Sequence, residues 1–377
     1  MLSLYVHIPW CLRKCPYCDF NSHELRGEIP ADTYVAALLA DLEQELPAVW
    51  GRTVETVFIG GGTPSLLPAE AVDRLLSGIR SRLSLRPDAE ITLEANPGAL
   101  ERGRFAEYRA AGVSRLSIGV QSFDDAQLAR IGRIHDRGQA LQAVDEARAA
   151  GFERINLDLM FGQPGQTQNA ALADLDTALA LQPGHLSWYQ FTLEPNTWFH
   201  RHPPALPGDD LIAAIQDAGQ ARLAEAGYAR YEVSAWARPG HGCQHNLNYW
   251  RFGDYLGIGA GAHGKLTDAA SGQIRRYAKQ RHPRRYLQTA ATPQRIASEQ
   301  ILGETDILFE YLLNALRLES GFRREDFRAA TGLPVEPLES ALQRPAEKGL
   351  LETGEWIRPT PRGRRFLDDL LADLLPD

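Results

Sequence analysis

The 377-residue sequence predicts an α/β fold: a parallel sheet closing as a full or partial (β/α) barrel, followed by a small winged-helix-like α+β domain. Three observations predict it. Short apolar, β-branched runs recur six times, with helix-period stretches between them, and strand alternating with helix makes a parallel sheet. Three of those helical stretches stop at a glycine, Gly112, Gly151 and Gly227, the residue best suited to close a helix. Beyond residue 305 the order changes to three helix-like segments, a hairpin signature in LLETGEWIRPT, and a last amphipathic stretch, PRGRRFLDDLLADLL.

The elements follow in order. Strands are expected at LYVHI (4–8), ETVFIG (55–60), EITLEAN (90–96), SRLSIGVQ (114–121), RINLDLMF (154–161) and LSWYQFTL (186–193). The first helix is DTYVAALLADLEQEL, whose Val35, Leu38, Leu39, Leu42 and Leu46 share one face. Further helices are expected near 68–85, 99–111, 138–150, 167–181 and 208–226. Residues 1–235 then form the core domain, and 305–377 the small one. Residues 236–304, rich in Gly, Arg and aromatics with weak periodicity, connect them. In barrels of this kind chemistry sits on loops after the strand C-termini.

Composition removes several function classes. Apolar residues make up 44% of the chain, enough for a large core, and no run of 18 apolar residues would span a membrane. The N-terminus MLSLYVHIP has no basic region and no small-residue cleavage site, so a cytoplasmic protein is expected. Four cysteines in so long a chain make no disulfide framework. A net charge of −8, and ten Lys and Arg against fifteen Asp and Glu in residues 301–377, argue against a nucleic-acid partner.

Three of the four cysteines fall within eight positions, in HIPWCLRKCPYCDFNSH. Cys11, Cys15 and Cys18 sit on one loop directly after the first strand. Three thiolates suit a [4Fe–4S] cube, leaving one iron open for an outside ligand. Structural zinc wants four closed ligands, and only His7, His23 or Asp19 would complete that set.

This stretch resembles the radical SAM superfamily, whose motif is CxxxCxxC. Tyr5-Val6-His7-Ile8-Pro9 before Cys11, Gly60-Gly61-Gly62-Thr63-Pro64-Ser65, Glu94, Gln121, Arg133 and Asp158 look like its HemN-like branch of coproporphyrinogen dehydrogenases and haem chaperones, nearly end to end. The resemblance implies that S-adenosylmethionine chelates the open iron through its amino and carboxylate groups. It also implies that Tyr5, Gly61, Gly62, Thr63, Glu94, Gln121 and Asp158 line its site and that Arg133 pairs with its carboxylate. In that superfamily the reduced cluster passes an electron to the sulfonium, whose C–S bond breaks to give a 5′-deoxyadenosyl radical. The residues agree independently. Gly60–Gly62 follow a strand and bring bare backbone to a ligand, while Glu94, Gln121 and Asp158 are polar groups near the ends of apolar strands.

Two departures separate the chain from the dehydrogenases. Those read CxxxCxxCxC, but Phe20 stands at the last position here, and Cys11 nearly begins the chain. A third feature, His245-Asn246-Leu247-Asn248-Tyr249-Trp250, matches HNxxYW of the haem-chaperone branch. The resemblance therefore implies haem as cargo, delivered to apo-haemoproteins. His245 is its candidate ligand, and Tyr249 and Trp250 its candidate packing surface. A buried core histidine is the other reading of His245, and Cys243 is an alternative ligand or an inert thiol. The runner-up function is an oxygen-independent coproporphyrinogen III oxidase; a metal-bound structural module is third. Glu194-Pro195-Asn196-Thr197 reads as a turn or a family motif. The acid-free run of Arg275, Arg276, Lys279, Arg281, Arg284 and Arg285 reads as a solvated face, or as a docking face for anionic lipid or an acidic haem acceptor.

Overall fold

The computed structural model describes residues 1–98 and 103–375. One twelve-stranded sheet organises it. Six parallel strands form its first part: β1 (Leu2–Ile8), β2 (Thr53–Gly61), β3 (Ser84–Ala95), β4 (Arg115–Gln121), β5 (Arg154–Phe161) and β6 (His185–Gln190). They pair in that order. The helices between them are α1 (Ala31–Val49), α2 (Ala69–Arg80), α3 (Phe105–Ala111), α4 (Arg137–Ala149) and α5 (Gln168–Ala180). Helix α6 (Asp209–Glu225) follows β6. Part of the helix expected at 99–111 lies outside the described residues; the remainder is α3.

Alternation along each strand sorts side chains between two faces. In β1, Leu2, Leu4, Val6 and Ile8 are buried in the same apolar cluster as Leu38 and Leu42 of α1. Ser3, Tyr5 and His7 take the opposite face, where the interior of the partial barrel is polar. Gly112 closes α3 in the left-handed conformation, φ 105°, as its place in the sequence predicts.

The stretch 236–304, expected as a connection, instead doubles back to extend the sheet. Strands β7 (Ala229–Glu232) and β8 (Ala235–Ala237) finish the β6 edge antiparallel. Then α7 (Gln244–Trp250) packs beneath β1 and β2. Strand β9 (Asp254–Ile258) pairs parallel with β1 on its other side. Outside it, β10 (His263–Thr267), β11 (Ile274–Lys279) and β12 (Ile296–Ile301) add an antiparallel wing. The basic run of β11 and its following loop is not a uniform solvated face. Arg275 pairs with Glu45 at 2.8 Å, Arg276 with Glu310 at 2.8 Å, and buried Lys279 with Asp41 and Glu45 at 2.6 Å each. Arg281, Arg284 and Arg285 remain exposed.

The C-terminal domain has a separate core, in which Tyr311, Leu312, Phe322, Phe327, Leu338 and Ile357 are buried together. Three helices, α8 (Glu304–Ala315), α9 (Arg324–Thr331) and α10 (Glu336–Glu347), precede the hairpin β13 (Leu351–Thr353) and β14 (Ile357–Pro359). This is the winged-helix-like order the sequence predicts. The last amphipathic stretch is two short helices rather than one, because Phe366 leaves helical geometry at φ −115°, ψ 45°. Among the described residues no helix is long and apolar enough to cross a membrane.

Candidate functional site

The loop after β1 carries Cys11, Cys15 and Cys18 over the C-terminal mouth of the parallel strands. A two-residue pairing of Trp10–Cys11 with His23–Glu24 pins its ends. Lys14 Nζ donates to the carbonyls of Phe20 and Ser22 at 3.0 and 3.2 Å. On one side the Phe199 amide donates to Pro16 O at 3.0 Å. On the other, Asn21 Nδ2 donates to Ala260 O and Arg281 O at 2.8 and 2.9 Å. At Gly261, φ +80°, a Cβ would sit 2.3 Å from Asn21 Nδ2, so the loop needs glycine there. The cysteine loop is thus fixed to both halves of the sheet.

Beneath it lies a cavity of about 450 Å³ lined by all three cysteines and by Gly61, Gly62, Thr63, Glu94, Gln121, Arg133 and Asp158. Ten of the twelve residues singled out from the sequence therefore meet in one place. The three thiols are half-buried and unpaired with one another. Burial pushes the Cys11 and Cys18 thiols above their ordinary value, so a metal would have to displace their protons. Among the described residues no three His, Cys, Asp or Glu side chains converge as a single ion requires. Three thiols without a fourth converging His, Cys, Asp or Glu among the described residues fit the three-cysteine attachment of an iron–sulfur cluster.

The rest of the cavity brings together buried groups of both signs, two carboxyls and a guanidinium. Glu94 is buried and accepts from the Gly61 amide at 3.0 Å. Burial first, and then the nearby Asp158 carboxyl, push Glu94 up to about 8. Burial also raises Asp158, whose two oxygens accept from Asn156 Nδ2 at 2.7 Å and Ser117 Oγ at 3.3 Å. Among the described residues neither carboxyl has a cation in direct contact, which leaves both open to a positively charged ligand. Arg133 supplies the opposite sign. Its Nη2 donates to Asn96 Oδ1 and Gly119 O at 2.7 Å each, its Nη1 lies 3.8 Å from Cys15 Sγ, and its buried Nε has no acceptor among the described residues. A buried guanidinium N–H without an acceptor, beside the cysteine loop, fits a ligand carboxylate. Gln121 holds a left-handed backbone at φ 68°, a conformation costly for a residue with a side chain and concentrated at functional sites. Its Oε1 accepts from Tyr189 O–H at 2.8 Å.

The glycine loop departs from expectation in one respect. Its amides do not face the cavity as ligand donors, since that of Gly61 goes to Glu94 and that of Gly62 to Ile8 O at 2.7 Å. Glycine is required because a Cβ at Gly61 would lie 2.7 Å from His7 Cε1, and one at Gly62 2.5 Å from Trp10 O. Sequence reasoning missed Asn96, which donates to Thr63 Oγ1 at 2.9 Å while receiving Arg133, along with Ser117 and Tyr189. Inward-facing alternation from Gln121 back to Ser117, and the Asn that ends EITLEAN, were the signals available. Glu194 lines the same cavity, and the segment after it is a turn in which Thr197 Oγ1 donates to Glu194 O at 2.7 Å.

Tyr5 and His245 lie elsewhere. Tyr5 faces a neighbouring cavity, with its hydroxyl 2.9 Å from His7 Nδ1. His245 is buried in the barrel floor, Nδ1 2.8 Å from Thr56 Oγ1 and Nε2 3.0 Å from Tyr249 Oη. Burial and then the Arg115 charge depress it to about 3. Both ring nitrogens are engaged within the protein. Cys243 is fully buried beside Glu90, and burial pushes its thiol up to about 11, which makes it inert.

The comparisons with known proteins follow the same lines. The radical SAM superfamily model matches residues 5–178, and the HemN C-terminal domain model matches 302–366. The solved coproporphyrinogen III oxidase HemN of Escherichia coli superposes with a TM-score of 0.83 at 25% identity, over 99% of this chain and 89% of that one. The fold and the cysteine mouth define a radical SAM protein with a HemN-type C-terminal domain. Among curated relatives, heme chaperone HemW of Escherichia coli (strain K12) is 51% identical over 100% of this chain and 98% of its own length. HemW of Haemophilus influenzae is 45% identical (100% and 98%), and that of Bacillus subtilis 34% (94% and 94%). The chain belongs to the HemW family.

Proposed function

We propose that the protein is a cytoplasmic haem chaperone, which binds haem and delivers it to apo-haemoproteins. Cys11, Cys15 and Cys18 would hold a [4Fe–4S] cluster. Glu94, Gln121 and Asp158 would bind S-adenosylmethionine, with Arg133 meeting its carboxylate. When bound, the cluster and S-adenosylmethionine supply one-electron reductive chemistry. The chain's own residues do the rest. Arg133 fixes the anionic end of the ligand, the buried carboxyls take up its positive charge by giving up protons, and the cysteine loop, tied to both halves of the sheet, covers the site.

The observation that carries the chaperone reading is Phe20. It occupies the position of the dehydrogenases' extra cysteine and stands 59% exposed at the lip of the mouth, an apolar side chain left open to an apolar cargo. Haem ligation by His245 would require its ring to leave Thr56 and Tyr249. The reading predicts that reconstituted protein binds haem and transfers it to an apo-haemoprotein. It also predicts no protoporphyrinogen from coproporphyrinogen III under anaerobic conditions with S-adenosylmethionine and reductant. Sustained decarboxylation would favour the oxidase, the second reading, which the likeness to the HemN structure supports.

A further inference from the structure

The neighbouring cavity, about 740 Å³, lies between β1, the start of the antiparallel wing and α7. That volume falls within the range of about 300–1,000 Å³ for small-molecule and cofactor sites. It shares Phe20, Gly61 and Glu94 with the cysteine cavity, so the two sites are separated by one wall. Four half-buried aromatic rings, Tyr5, Tyr249, Trp250 and Tyr255, line it. Tyr249 and Tyr255 meet edge-on with centroids 4.6 Å apart. Flat aromatic walls and an exposed Phe20 suit a large planar apolar ligand. Arg281 stands exposed and Arg276 half-buried among the lining residues, cations of the sign a ligand with carboxylate arms needs.

Two histidines line the cavity, and both ring nitrogens of His7 are already engaged, Nδ1 with the Tyr5 hydroxyl and Nε2 with Asn21 O, at 2.9 Å each. His263, at the start of β10, is exposed, and among the described residues its side chain makes no hydrogen bond or ion pair. Burial of part of the ring, then the charges of Arg276 and Arg281, hold it below its ordinary value, which favours the neutral imidazole that can ligate iron. His245 is the reverse case: buried, with both nitrogens engaged, one of them on the hydroxyl of a ring that lines this cavity.

We infer that haem sits in this second cavity with His263 as its axial iron ligand, and that His245 is a positioning residue that holds Tyr249 in the aromatic wall. The inference rests on the haem-binding reading above and names its site. It divides the HNLNYW motif by role: Tyr249 and Trp250 touch the cargo, and His245 acts through Tyr249. It also sets the cargo against Glu94 and Gly61, the wall of the S-adenosylmethionine cavity.

The test is a ferric haem titration of the full-length, cluster-loaded protein, read by Soret absorbance and low-temperature electron paramagnetic resonance. The wild type should show a histidine-ligated spectrum. His263→Ala should lose that signature and weaken binding by more than about tenfold, since even outer partners of metal ligands act on that scale. His263→Gly with added imidazole should regain the signature, which separates ligation from folding. His245→Gln should bind more weakly, with the histidine signature retained. An unchanged spectrum and affinity in His263→Ala, or loss of the signature in His245→Gln alone, would overturn the assignment while leaving haem binding intact. A wild type that binds no haem would overturn the function together with the site.

Discussion

Two pairs of buried carboxyls, Asp41 with Glu45 and Glu94 with Asp158, are given different partners, and although burial raises Asp41 as it raises Glu94 and Asp158, Glu45 is lowered. Asp41 and Glu45 of α1 meet Lys279 of β11 and the nearby Arg295, with Glu45 2.6 Å from Lys279 and 2.8 Å from Arg295. Burial alone would raise Glu45, but those two cations outweigh it and hold Glu45 down to about 2. Glu94 and Asp158, under the cysteine loop, have hydrogen bonds and, among the described residues, no cation in contact, and burial raises both. A buried carboxyl with its cation supplied by the fold ties the antiparallel wing to α1. A buried carboxyl without one costs stability, and its persistence at the mouth marks a place where the cation comes from outside.

The comparison can be broken or sharpened in order of effect. Replacing Cys15 with Ala should abolish the iron content and thiolate-to-iron charge-transfer absorbance of reconstituted protein, and Cys11→Ala and Cys18→Ala should do the same. A full cluster in Cys15→Ala would contradict the assignment. In the other half, Lys279→Met leaves Asp41 and Glu45 short of a partner and should destabilise the protein by about 3–5 kcal/mol, read by denaturant unfolding. A shift within error would show that the wing does not depend on this cluster.

Glu45 and Glu94 should also titrate in opposite senses. Glu45, lowered in the fold, contributes stability above its unfolded value of 4.5 that is lost as pH falls toward about 2. Glu94, raised in the fold, contributes most below 4.5 and loses that contribution as pH rises to about 8. Stability of the ligand-free protein should therefore decline between pH 5 and 8 more steeply in the wild type than in Glu94→Gln. S-Adenosylmethionine binding at pH 7 should release a proton, seen calorimetrically as a buffer-dependent heat, and Glu94→Gln should remove that release and weaken binding by about 10- to 100-fold, the worth of a hydrogen bond to a charged group. Equal heats in all buffers would take Glu94 out of the site. The smallest effect belongs to Cys243→Ala, which should leave cluster, cofactor and haem binding unchanged.

How much of this could be read from the sequence follows the same division. The parallel half announces itself through repeated apolar runs, glycine helix ends and a cysteine spacing that local pattern alone makes visible. Ten candidate residues converge because most sit at or beyond strand ends on one face of the sheet, while Asp158 points inward from within its strand and Arg133 follows a short helix after Gln121. The antiparallel wing is silent, because its strands are short and its charged residues answer partners far away in the chain. Arg275 has no acid near it in sequence; its partner Glu45 lies 230 positions earlier. His245 shows the same limit. Its neighbours in sequence suggest a ligand, while Thr56, which engages its Nδ1, lies 189 positions away. His263, in the plain segment GAGAHGKLT, carries no local signal; only the folded cavity sets it apart.

On the proposed reading two adjoining cavities hold different guests at once, one beneath the cysteines and the other aromatic and facing the wing. Its most direct test is haem titration of the cluster-loaded protein under anaerobic conditions with S-adenosylmethionine already bound, following both ligands. The account predicts that haem binds while S-adenosylmethionine stays in place and that neither ligand excludes the other. Displacement of one by the other in a competitive isotherm would place both in a single site and contradict it.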